Sequence, residues 1–136
     1  MKSISGFRLI VCLCLLLIGV VFVSGRPAPP STSTTTAAIQ FEKRCGWFSN
    51  PTPGNAWLDD RAGQWIIGTQ GGHQAQGDWP DFKPSQWVRT NGNYGYGCAC
   101  MQVKVNRETR EVLEIKSAYA RSLQACRRDR SLKEPK

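Results

Sequence analysis

The chain is expected to fold as a small, mainly β domain, an antiparallel sandwich or partly open barrel with two disulfides and at most one short helix. Three observations predict it. Residues 96–106 and 111–119 alternate apolar and polar side chains around a polar turn, the period-two pattern of a hairpin that buries one face. Four of the six cysteines lie between Cys45 and Cys126. Gly and Pro break up the remaining chain so closely that only Ser122–Arg127 reads as a helical turn.

Of the 136 residues, the first 25 read as a leader: Lys2 and Arg8 precede an apolar run from Leu9 to Val23 that ends at Ser24-Gly25. As a helix the run would span roughly 22 Å, short of the roughly 30 Å of bilayer hydrocarbon. The pattern predicts a signal peptide cleaved after about Gly25, and Cys12 and Cys14 leave with it. No membrane span then remains, and the protein is expected to be periplasmic or secreted. Residues 26–40, with three Pro and six Ser or Thr, read as a disordered tether. Residues 41–126 form the disulfide-stapled β-domain, and 127–136 a basic tail with five basic and two acidic residues.

Within the domain, Arg44–Ser49 reads as a short strand. Ala56–Leu58 and Gln64–Thr69 flank the turn Asp59–Gly63 and make a first hairpin. In the second hairpin Ala99, Met101, Val103 and Val105 share one face, while Cys98, Cys100, Gln102 and Lys104 share the other. Cys98 and Cys100 on one strand face stand about 6.6 Å apart, so a bond between them would be strained. Cys45 and Cys126 are therefore divided between them, with both pairings open. A zinc or redox site would need Cys-x-x-Cys spacing, which Cys98-Ala99-Cys100 lacks, so neither metal nor cofactor is expected.

Charge argues against nucleic acid as the partner. Residues 40–126 carry ten basic and eight acidic side chains, so the excess of positive charge sits largely at the chain ends. A nucleic-acid module would carry clustered Lys and Arg interleaved with aromatics on its folded surface. Residues 70–97 are instead rich in Gly, aromatics and amides, too long for an ordinary connection. On a rigid scaffold such segments are where binding sites are placed. The candidate binding residues are His73, Trp79, Trp87, Asn91, Asn93, Tyr94 and Tyr96.

Arg44-Cys45-Gly46-Trp47-Phe48, Asn50-Pro51-Thr52-Pro53-Gly54-Asn55, Gly77-Asp78-Trp79-Pro80 and Thr90 through Cys100 resemble a bacterial family of small exported proteins, domain-of-unknown-function family 4087. The resemblance runs from Arg44 to Pro135. It implies an exported bacterial protein and no known activity, so no site residue is carried over from it.

Catalysis is ranked below binding. His73 is the single imidazole, and neither Asp78, Asp81 nor Ser85 stands at a spacing that makes a nucleophile or acid–base pair with it. His73, Asp78 and Asp81 likewise make an incomplete metal-ligand set without further partners. The expected role is a monomeric, non-catalytic interaction module that binds an envelope glycan or an exported protein. Alternatives are an inhibitor of an exported hydrolase and a small hydrolase using His73. A coplanar aromatic platform would favour carbohydrate, a convex aromatic protrusion a protein partner, and full burial of the rings neither.

Overall fold

The computed structural model describes residues 40–136; the leader and nearly all of the tether, residues 1–39, lie outside the described residues. Six strands form one sheet: β1 Glu42–Thr52, β2 Asn55–Asp60, β3 Gly63–Gly68, β4 Trp87–Asn91, β5 Tyr94–Asn106 and β6 Glu111–Arg121. Their order is β1-β2-β3-β6-β5-β4, and β1 also pairs with β5. Five strands therefore close into a ring, and β5 returns beside β1 in the 4-1-2-3 arrangement of a Greek key. A five-stranded Greek-key ring is the plan of OB-type barrels. Of the two expected forms, sandwich or partly open barrel, the ring-like closure corresponds to the barrel, in a sheet that is mixed and not purely antiparallel.

An odd ring cannot alternate strand direction all the way round. One junction must be parallel, and it falls between β3 and β6, through the single pair Ile66↔Glu111 and the Ile66 N–H to Arg110 C=O bond of 2.8 Å. Beyond Ile66 the two strands part, and residues 73–76 fill the gap. Ala75 N–H donates to the Ile67 carbonyl (2.8 Å), Gln76 N–H to that of Leu113 (3.0 Å), and Ile115 N–H to that of Gln76 (2.7 Å). Gly77 lies so close behind that a Cβ there would stand 2.2 Å from the Ile115 carbonyl oxygen. Its φ of +99° is also one that glycine alone adopts readily.

The alternation read from the sequence places the interior. Ala99, Met101, Val103 and Val105 of β5 meet Phe48, Leu58, Trp65, Ile67, Val112 and Ile115 in one buried cluster. The outer face of the same strand carries both disulfides, Cys45–Cys100 and Cys98–Cys126. Cys45 and Cys100 are already opposite one another in the β1–β5 register. Cys98 reaches instead to the short helix α1, Leu123–Arg127, whose Leu123 and Ala125, with Leu132 beyond it, pack over Trp47 and Tyr96 in a second apolar cluster.

The basic tail is docked rather than free of the domain. Arg127 donates twice to the Glu134 carboxylate, at 3.0 and 2.7 Å, and the Tyr96 hydroxyl donates to it at 3.1 Å. The Arg127 bond holds the Glu134 carboxyl below its ordinary range, while burial and then Glu134 push the Tyr96 hydroxyl up. A lowered carboxyl pKa stabilises the docked form above the unfolded value, and that contribution fades as pH falls through the folded one. Acidification to about pH 3 is thus expected to free residues 131–136. Hydrogen exchange, corrected for intrinsic rates, should show those amides losing protection before the β5–β6 amides do, and Glu134→Gln should reproduce the loss at neutral pH. Equal protection at both pH values would refute the role given to Glu134.

Candidate functional site

One cleft is walled by aromatic rings. It encloses about 460 Å³ between the 79–87 segment and the adjoining ends of β1 and β4. Phe48 forms its floor, and three rings pack against Phe48 from the loop side: Trp79 at 5.7 Å between centroids, Phe82 at 5.7 Å and Trp87 at 6.3 Å. Phe82 and Trp87 touch each other at 4.8 Å. The planes are inclined by 33° to 62° to Phe48, so the rings enclose a trough and do not form a flat platform. Pro80 and Pro84 complete the apolar wall.

Local sequence explains how the rings are seated. In β4–β5 the pairs Trp87↔Gly97 and Arg89↔Gly95 alternate with Val88↔Tyr96, so glycine lies beneath each residue facing the cleft. A Cβ on Gly97 would stand 2.4 Å from Phe82 Cε1; the absence of a side chain there lets Phe82 reach the barrel. A single 3-10 turn, Pro84–Gln86, then swings the chain into β4. The Trp87 indole N–H donates to the Asn93 carbonyl across the β4–β5 turn (3.2 Å), which fixes the ring's tilt.

The polar part of the lining is Asn50, Arg89 and Asn93. Asn50 spends its amide donors on the Thr52 and Asn55 carbonyls, at 2.8 and 2.6 Å, which leaves Oδ1 as an acceptor. Arg89 is exposed, and among the described residues no carboxylate lies within ion-pair distance of it. None of the nine lining residues is a carboxylic acid, imidazole, thiol or hydroxyl. The arrangement can stack and hydrogen-bond a ligand, but it holds no group that would take or give a proton at neutral pH.

The structure divides the residues singled out in the sequence. Trp79, Trp87 and Asn93 come together in the cleft. Asn91 is exposed at the end of β4, opposite Tyr94. Tyr96, buried against Trp47 on the outer face at 5.5 Å, belongs with the C-terminal cover, and strand alternation puts Tyr94 on that same side. His73 is separate again: its Nε2–H donates to the Val112 carbonyl at 2.8 Å, part of the patch between β3 and β6. Phe48, Asn50, Phe82 and Arg89 were not anticipated in the cleft. Reading the alternation Tyr94-Gly95-Tyr96-Gly97 as tyrosines on one face and glycines under a cover on the other would have pointed to Phe82 and Arg89, but not to Phe48 and Asn50 of β1.

A second cavity, about 490 Å³, opens between Asp59, Asp60 and Gly63 and the last six residues. It is a gap beneath the chain's own docked end. Burial raises the Asp59 carboxyl there, opposed by a hydrogen bond from Gln64. Among the described residues no three His, Cys, Asp or Glu side chains group as a metal site, and no helix is long and apolar enough to cross a membrane. A family model described as "Protein of unknown function (DUF4087)" matches residues 39–133. No curated protein and no solved structure matches the chain.

Proposed function

The chain belongs to that family of unknown function, and we propose that it is a non-catalytic module, acting as a monomer outside the cytoplasm, whose aromatic cleft binds a sugar residue of an envelope glycan. The observation that carries this is the trough of Phe48, Trp79, Phe82 and Trp87 with Asn50, Arg89 and Asn93 on its lining. Its volume lies within the roughly 300–1,000 Å³ of small-ligand sites. Inclined rings meet the two C–H-rich faces of a pyranose, and the amide acceptors and the guanidinium meet its hydroxyls. The rings are not the coplanar platform expected for carbohydrate; it is the concavity of the trough, which receives a ligand, that speaks for glycan over an inhibitor that must insert into an enzyme. Two disulfides suit an oxidising compartment, and the basic-then-apolar first 25 residues suit delivery to it.

The test is titration of the oxidised protein with soluble chito-, cello- and xylo-hexaoses, read by tryptophan fluorescence and saturation-transfer NMR. Trp87→Ala should lower the affinity of whichever sugar binds by about 30- to 100-fold, the range of a central aromatic anchor. Arg89→Ala, at an exposed side chain, should lower it about tenfold with the fold unchanged. Tyr94→Ala should leave it alone. Unaltered affinity in the Arg89 and Trp87 variants, with native near-UV circular dichroism, would reject the cleft as the site.

A further inference from the structure

The outer face where β1, β5 and β6 run side by side carries a set of cations that segment-by-segment charge counting hides. The register across the three strands places Lys43 beside Gln102 and Ser117, Cys45 beside Cys100 and Tyr119, and Cys98 beside Arg121. Lys116 is the extra residue of a bulge in β6 between Ile115 and Ser117, and Lys104 faces Glu114. Lys43, Lys116, Tyr119 and Arg121 are all exposed.

Lys104 has a partner, Glu114 Oε2 at 2.7 Å. Among the described residues no carboxylate lies within ion-pair distance of Lys43, Lys116 or Arg121. Their ends are nevertheless positioned. The ammonium groups of Lys104 and Lys116 lie 4.6 and 5.5 Å from the centroid of the Phe41 ring, and that of Lys43 lies 5.9 Å from the Tyr119 ring. Arg121 Nη1 contacts Cys100 Sγ at 3.6 Å. Holding a long side chain over an aromatic ring removes part of the entropy that binding would otherwise cost.

We propose that this face binds an acidic polysaccharide. Neighbouring strands stand about 4.8 Å apart and alternate residues about 6.8 Å apart along a strand, so the cations are spread over a sheet surface and no hollow gathers them on one small anion. An extended polymer with a carboxylate on each sugar meets several at once, releasing counterions as it does so. Gln102 and Ser117, between the cations, can hydrogen-bond hydroxyls. The two aromatic rings are capped by ammonium groups, so they are not free to stack nucleobases. The face also lacks the broad apolar wedge that anchors a protein in a lipid surface.

The oxidised protein from Arg26 to Lys136 is titrated with polygalacturonate over a range of salt concentration, with neutral dextran, double-stranded DNA and phosphatidylglycerol vesicles as comparators. The affinity for polygalacturonate should fall steadily with salt. The triple substitution Lys43→Gln, Lys116→Gln, Arg121→Gln should weaken it at least about tenfold at low salt and flatten the salt dependence, with the melting temperature unchanged. The corresponding Lys→Arg changes should retain it. Trp87→Ala should also retain it, so failure of the cleft reading leaves this one standing and the reverse holds as well. Parental affinity in the triple variant, equal binding of dextran, or tighter binding of DNA or vesicles would overturn the proposal.

Discussion

Reduction of both disulfides should unfold the domain at 37 °C. The bridges join residues 55 and 28 positions apart, and chain-entropy arguments give each about 4 kcal/mol. A domain of this size has a total stability of roughly 5–15 kcal/mol. The two losses together therefore remove most of it. Thermal scans by near-UV circular dichroism should show a cooperative transition for the oxidised protein and none above 37 °C in excess dithiothreitol. The bridges also differ in what they hold. Removing only the second, with Cys98→Ala and Cys126→Ala, should leave the barrel folded but release α1 from Trp47 and open Arg127 and Arg128 to trypsin. A reduced protein melting within a few degrees of the oxidised one would mean that the apolar core suffices alone.

Trp65→Ala should cost about 3–5 kcal/mol. Trp65 is fully buried, its ring centroid 3.7 Å from the guanidinium of Arg44 and 4.3 Å from that of Arg110. Its indole N–H donates to Asp60 Oδ1 at 3.2 Å, and the other oxygen of Asp60 accepts from Arg44 at 2.5 Å. Truncation would open a cavity and also strip a nearly buried arginine of the surface that covers it. Trp65→Phe, which keeps a ring against the guanidiniums but loses the N–H, should cost about 1–2 kcal/mol. Urea denaturation of the three proteins decides it. A loss below about 1 kcal/mol for the alanine variant would show that the stack contributes little.

The sequence made the two hairpins legible because their signals are local. The faces of β5 follow from simple alternation, and the polar stretch before Glu111 marks its turn. The division of Cys45 and Cys126 between Cys98 and Cys100 also followed from parity within one strand. β4 was hidden, since Trp87–Asn91 sits in a Gly-rich stretch and is a strand only through its pairing with β5. Three of the seven candidate binding residues meet in the cleft for a related reason. Composition brings Trp, Tyr, Asn and His under one heading, but whether a residue faces the trough or the C-terminal cover is settled by register. The Phe48 floor comes from a strand about thirty residues earlier, a distance over which no local pattern reports. The cations of the outer face were missed in the same way: balanced along the chain, they are unbalanced in space.

The position of Cys45 opposite Cys100, with Cys98 two residues away on the same face, bears on how the protein matures. Sliding β1 by two residues along β5 would bring Cys45 opposite Cys98 and turn no side chain to the wrong side of the sheet. That slipped isomer is the natural competitor of the native one, and hydrophobic patterning alone penalises it little. Discrimination falls instead to contacts that admit one alignment, such as Gly46, where a Cβ would stand 2.0 Å from the Asp59 carbonyl oxygen. Oxidation that outruns strand pairing would therefore trap a scrambled species, and recovery of native protein would then depend on thiol exchange.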